Sequence, residues 1–98
     1  MSAIQTYYTM NIKSLKITRH CDPGHSWGEV RMELLPKEVR RKISPYSYWK
    51  RDVLFLEEDC DLPLAVEYFQ SQGVEVSFDW KHTDEDSPIR DYFHCMVK

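Results

Sequence analysis

Three stretches of the chain have the hydrophobic patterns of strands. Leu15 and Ile17 alternate with polar neighbours, which is typical of a half-buried strand. Residues 53–56 form a continuous apolar run that predicts a buried central strand. Residues 74–80 show the clearest alternation, with an apolar side chain at every second position. A short terminal element over residues 89–97 is a candidate edge strand.

Helical patterns lie between these strands. Ser26 precedes Glu29 by three residues, the spacing of a capping box, and predicts a helix over residues 26–35. Residues 61–73 begin with a capping aspartate, continue with an apolar stripe and end at a glycine, which predicts another helix. Residues 37–43 are a candidate for a second, shorter helix.

Strands separated by helices favour a small α+β or α/β domain with two layers. We predict a three- to four-stranded sheet with two or three helices packed on it. The chain has 98 residues, enough for one hydrophobic core. Residues 1–10 are expected to be a partly ordered lead-in, and residues 11–98 to form a single domain.

Charge is distributed unevenly along the chain, although the total is only −3. Residues 1–51 contain ten Lys/Arg and four Asp/Glu, whereas residues 52–91 contain two Lys/Arg and twelve Asp/Glu. Such asymmetry indicates a charged partner or two opposite surfaces. The alternative is that the two halves interleave in the fold and their charges offset one another.

Two acidic segments are predicted to form a binding surface. They consist of Glu57, Glu58, Asp59 and Asp61, and of Asp84, Glu85 and Asp86. Because both lie near strand ends, they could present one row of negative charge to the basic site of a nucleic-acid-binding protein. The alternatives are a solvated loop in which Asp61 caps the helix, or carboxylates that bind Mg²⁺ or serve as acid and base.

A segment rich in aromatic and basic residues precedes the acidic ones. Its candidate binding residues are Tyr46, Tyr48, Trp49 and Arg51, and a basic stretch over 37–42 comes before them. Tyr, Trp and Arg dominate protein interfaces, whereas aromatics among basic residues also suit nucleic acid. An isoelectric point near 5.8 favours the protein interface over the nucleic acid. An ordinary solvated face is the third interpretation.

Histidine and cysteine residues offer an alternative chemistry. Cys21 and His25 have a plausible ligand spacing, and His94 with Cys95 could complete a zinc site if the tail returns to the first loop. Cys21 is also a candidate nucleophile beside His20. No CxxC, nucleotide-cradle or hydrolase motif occurs in the sequence, so we predict no cofactor and favour a protein that is not an enzyme.

Four segments together resemble a group of small phage and prophage proteins of uncharacterised function. They are residues 20–28, 44–48, 56–61 and 81–90, within a similarity that spans about residues 17–92. The most distinctive parts are LEEDCD and HT…SPIR. The resemblance implies a phage origin and transfers no catalytic role.

We therefore expect a non-enzymatic binding protein that inhibits or redirects a host protein, such as a nucleic-acid-binding defence complex, through its acidic surface. A metal- or cysteine-dependent enzyme and a small nucleic-acid binder that uses residues 37–51 are the alternatives. No membrane partner is expected, because the chain lacks a run of about 18 apolar residues. The absence of a signal-like start and the odd number of cysteines favour reduced thiols in the cytoplasm.

Overall fold

The computed structural model describes residues 12–95, so the lead-in predicted at residues 1–10 lies outside the described residues. The strands are β1 (Ser14–Cys21), β2 (Ser26–Arg31), β3 (Tyr48–Lys50), β4 (Val53–Glu57), β5 (Glu75–His82) and β6 (Phe93–His94). The α-helices are α1 (Lys37–Arg40) and α2 (Leu62–Ser71), and two short 3₁₀ turns cover Met32–Leu34 and Pro88–Asp91.

The strands form one mixed sheet in the order β5-β1-β2-β4-β3-β6. β1 and β5 are parallel, and all other neighbours are antiparallel. The predicted fold of three to four strands with two or three helices is wrong. The part of the chain that the structure describes has six strands and only two short α-helices, so it is richer in sheet than the sequence indicated.

The largest error is the helix predicted over residues 26–35, because Ser26–Arg31 is strand β2, between β1 and β4. Trp27 and Val30 lie on opposite faces of the sheet, and both are buried. A strand that is covered on both faces does not alternate regularly between apolar and polar residues. In β2 the apolar residues Trp27 and Val30 are three positions apart, which is also the spacing of one face of a helix.

The capping-box residues have other partners in the strand. Ser26 Oγ donates a hydrogen bond to Glu58 Oε1 at 2.8 Å. Glu29 Oε1 lies 2.8 Å from His20 Nε2 on the neighbouring strand. Ser26 and Glu58 are 32 residues apart, and His20 and Glu29 are nine residues apart on adjacent strands. The three-residue spacing of Ser26 and Glu29 therefore carried no information about either contact.

Several predicted elements are confirmed. β1, β4 and β5 are the strands expected near residues 15–17, 53–56 and 74–80. Helix α2 occupies most of the helix expected at residues 61–73, and α1 occupies the first part of the one expected at residues 37–43. Gly73 follows this helix with φ +78°, a left-handed conformation that glycine adopts without a steric penalty.

Helix α2 covers one face of the sheet, which we call the helical face. Leu62, Ala65 and Phe69 of the helix pack on Ile17 and Leu56 of the strands in the main core. The approach is close at Gly28, where a Cβ atom would lie 2.5 Å from Leu62 Cδ1. Glycine therefore allows the helix to lie directly on β2.

The opposite face, which we call the aromatic face, has a smaller core of its own. Trp27 and Phe55 pack there with Ile89, which lies in the 3₁₀ turn Pro88–Asp91. Tyr48 and Tyr92 pack against this cluster. The C-terminal part of the chain thus crosses the aromatic face and leaves a depression beside it.

Candidate functional site

A depression of about 360 Å³ on the aromatic face brings together aromatic, acidic and basic side chains, and we call it the aromatic cleft. Its lining residues are His25, Trp27, Tyr46, Tyr48, Glu57, Asp59, Cys60, Arg90 and His94. Segments far apart in the chain therefore meet at one site.

Aromatic rings form one wall of the cleft. The Tyr48 ring lies between Trp27, at a centroid distance of 6.1 Å, and His94, at 4.5 Å. His94 Nδ1 is held 2.8 Å from the carbonyl oxygen of Pro45. Tyr46 is 68% exposed, which leaves its ring available for contact.

Glu57 places a buried carboxylate in the same cleft. It ends β4 and is only 7% exposed. The backbone N–H groups of Asp59 and Cys60 donate to its Oε1 at 2.9 and 2.8 Å. Its Oε2 lies 3.6 Å from His25 Nδ1. Backbone N–H groups thus fix one carboxylate oxygen, while the other faces the half-exposed imidazole of His25.

Arg90 lines the cleft beside Trp27 and forms an ion pair with Asp22. Arg90 Nε and Nη2 donate to the two carboxylate oxygens at 2.6 and 3.0 Å, and the guanidinium lies 5.2 Å from the centre of the Trp27 ring. The Arg90 hydrogen bonds, followed by those from the backbone N–H groups of Ser87, His25 and Gly24, hold the pKa of Asp22 well below its usual range. The charge of Arg90 is therefore offset within the protein.

Asp61 is an internal residue of the fold, and its side chain does not face the cleft. It occupies the N-cap position predicted for it, yet its side chain makes no capping hydrogen bond. Its buried carboxylate accepts hydrogen bonds from Ser44 N and Ser44 Oγ, at 2.9 and 2.6 Å, and from Ser47 Oγ. These bonds hold the turn that carries Tyr46.

The remaining acidic residues differ in their surroundings. Glu58 is half-buried, and its Oε1 lies 3.5 Å from Arg19 Nη2. Asp59 is exposed at the cleft. Asp84, Glu85 and Asp86 are exposed in the loop after β5, and none of them lines the cleft. The two predicted acidic segments thus contribute only Glu57 and Asp59 to this site.

The predicted aromatic and basic segment is divided between the two faces of the sheet. Tyr46 and Tyr48 line the aromatic cleft, whereas Trp49 and Arg51 line a separate depression of about 410 Å³ together with Arg40. The division follows from the strand conformation, because successive side chains of β3 point to opposite faces.

Among residues 12–95, one set of side chains has ligand atoms close enough for a metal ion, namely His25, Glu57 and Glu58, with all three atoms within 4.8 Å of one another. Cys21, His94 and Cys95 do not belong to it. Glu58 Oε1 already accepts a hydrogen bond from Ser26 and faces Arg19.

Cysteine chemistry has little support at the cleft. Cys21, Cys60 and Cys95 are all free thiols. A hydrogen bond to Glu57, together with partial burial and the charges of nearby carboxylates, raises the pKa of Cys60, the thiol at the cleft. A raised pKa reduces the thiolate fraction and with it the nucleophilicity of this side chain.

Trp27, Arg90 and Cys60 are not among the site residues predicted from the sequence. His25 and His94 are predicted only as parts of the alternative metal- or cysteine-dependent site. The ion pair of Arg90 with Asp22 spans 68 residues of sequence and has no local signature.

No family model, curated protein or solved structure matches this chain. Of the helices within residues 12–95, none has both the length and the apolar composition needed to cross a membrane.

Proposed function

We propose that this chain is a non-enzymatic binding protein that holds an arginine or lysine side chain of a partner protein in the aromatic cleft. The observation that supports this proposal best is the buried Glu57 carboxylate beside the rings of Tyr46, Tyr48 and Trp27. A cation is attracted both to the faces of aromatic rings and to a desolvated carboxylate.

The balance of charge in the cleft favours a cation over an anion. Arg90 is paired with Asp22, which lies behind it and neutralises its charge. Glu57 and Asp59 then leave the cleft negative when the histidines are neutral. The sequence predicted binding by two whole acidic segments. In this proposal only two carboxylates, those of Glu57 and Asp59, bind the partner, together with the aromatic wall.

The partner class follows from the same chemistry. A protein that binds nucleic acid presents exposed Arg and Lys side chains, and a carboxylate in an aromatic cleft competes for them. The resemblance to small phage proteins favours a host protein as the target, in the cytoplasm of the host. The three free thiols fit a reducing compartment.

The proposal is tested by NMR titration with N-acetyl-arginine methylamide, its lysine counterpart and its citrulline counterpart, which is neutral and nearly isosteric with arginine. We expect the two cationic ligands to bind with a Kd of about 1 mM, because one side chain buries little surface. The largest chemical-shift changes should occur at Tyr46, Tyr48 and Glu57. Glu57→Gln should weaken binding at least about tenfold.

The matched control is Glu67→Gln, a substitution at an exposed position of α2 that should leave the affinity unchanged. Equal binding of the citrulline ligand would refute the proposed recognition of charge. Unchanged affinity in Glu57→Gln would refute the assignment of the site.

A further inference from the structure

Strand β5 forms one end of the sheet that residues 12–95 build. It pairs with β1 on one side, and no other strand within residues 12–95 pairs with its second edge. The strand is eight residues long, and Trp80 on it is 51% exposed. A long edge of this kind is a template for another strand.

The backbone groups at the outer edge can be assigned from the existing hydrogen bonds. Glu75 N donates to Lys13 O at 3.0 Å, and Thr83 N donates to Cys21 O at 2.9 Å, so both face β1. Backbone groups alternate in direction along a strand. Val76, Phe78 and Trp80 therefore present their N–H and C=O groups to the outer edge.

We propose that two copies of this chain pair through β5 in an antiparallel arrangement, with a two-fold axis at Phe78. In this register Phe78 lies opposite its own copy, and Val76 lies opposite Trp80 of the second chain. These are the residues whose backbone groups face outward, so each pair exchanges two hydrogen bonds. The exposed Trp80 ring gains an apolar neighbour.

Charge complementarity supports this register. Glu75 lies opposite Lys81 of the second chain, and the symmetry generates this pair twice. Both residues are exposed, and neither forms a salt bridge with another residue among residues 12–95. The pair falls at a position without backbone hydrogen bonds, where cross-strand side chains approach most closely.

Neighbouring registers bring like charges together. A two-fold axis at Asp79 places this residue opposite its own copy, and an axis at Ser77 places Glu75 opposite Asp79. Directly opposed like charges destabilise a strand pair. A two-fold axis nearer to either end of β5 leaves fewer residues of the strand paired with the second chain. The axis at Phe78 therefore combines the longest pairing with opposite charges.

This proposal is independent of the proposed function, because β1 separates β5 from the strands that form the aromatic cleft. The test is sedimentation equilibrium of the full chain at concentrations from about 10 μM to about 1 mM. The samples are the wild type, Lys81→Glu, Glu75→Lys and an equimolar mixture of these two variants. Circular dichroism checks that each variant is folded, and Glu67→Lys is a charge-reversal control on α2.

We expect a wild-type dimer and a dissociation constant at least about tenfold weaker for each single variant, since two attractive pairs become repulsive. The mixture should regain the wild-type affinity, because one strand then carries two positive charges opposite two negative charges. A wild type that is monomeric over the whole range would overturn the proposal. So would single variants that dimerise normally, or a mixture that stays dissociated.

Discussion

The ion pair between Asp22 and Arg90 gives the sharpest prediction about stability. The Asp22 side chain is fully buried and accepts hydrogen bonds from Arg90 and from three backbone N–H groups. Asp22→Asn keeps the size of the side chain and removes its charge. It also replaces one acceptor oxygen by an NH₂ group that faces donors. The guanidinium then lacks its counter-charge on the wall of the cleft.

The size of the expected loss of stability follows from how far Asp22 and Arg90 are buried. Removal of one member of a buried ion pair costs about 3–5 kcal/mol. Arg90 is 32% exposed, so water recovers part of this loss. We therefore expect Asp22→Asn to lower the free energy of unfolding by about 2–3 kcal/mol at pH 7. For a domain of this size the Tm should fall by about 10–20 °C.

The assay is urea unfolding followed by tryptophan fluorescence, with Asp84→Asn, a substitution of an exposed aspartate in the loop after β5, as control. Because the folded-state pKa of Asp22 is depressed, its carboxylate contributes its full stability above the unfolded pKa of about 3.9. The contribution is lost as the pH falls through the folded value. The difference between wild type and Asp22→Asn should stay constant above about pH 5 and narrow below about pH 4.

A loss of less than about 0.5 kcal/mol at pH 7 would refute the stabilising role of this pair. A difference that does not narrow between about pH 4 and pH 2 would refute the assigned direction of the pKa shift.

Three further predictions concern the core and the thiols. Gly28→Ala should lower the free energy of unfolding, measured in urea, by about 1–3 kcal/mol, because the new methyl group overlaps Leu62. A variant as stable as the wild type would contradict the close packing of α2 on β2. Ser47→Ala should lower the free energy of unfolding by about 1–3 kcal/mol, because the buried Asp61 carboxylate loses a hydrogen-bond donor. An unchanged free energy of unfolding would show that water takes the place of the lost hydroxyl. Burial of Cys95 blocks reagents and raises its pKa to about 11, so Cys95 should react with a thiol reagent at pH 8 only after urea unfolding. The exposed Cys60 should react in the folded protein, slowly because its own pKa is raised, and equal labelling of Cys95 before unfolding would contradict its burial. Mass spectrometry of the labelled peptides measures this difference.

The elements predicted well from the sequence are those with a regular pattern of buried positions. β4 is a short apolar run, β5 has an apolar side chain at every second position, and α2 has an apolar stripe on one side with a glycine at its end. β2 is covered by α2 on one face and by Ile89 and its neighbours on the other, so its pattern suits neither a half-buried strand nor a real helix. β3 and β6 contain three and two residues, too few for any period, and their pairing depends on the rest of the sheet.

The candidate site was only partly predictable. Charge and aromatic content pointed to Glu57, Asp59, Tyr46 and Tyr48, which do line the cleft. The same criteria selected Asp61, which serves the fold through hydrogen bonds that cross the chain. Composition identifies groups that are able to bind, whereas their orientation depends on strand alternation and on contacts remote in sequence.

The most direct test of the proposed function is the structure of the protein bound to N-acetyl-arginine methylamide, by crystallography or by intermolecular NOEs. The account predicts that the guanidinium lies against the rings of Tyr46 and Tyr48, within hydrogen-bond distance of Glu57 Oε2. A ligand bound elsewhere, or a guanidinium that avoids this carboxylate within the cleft, would contradict it.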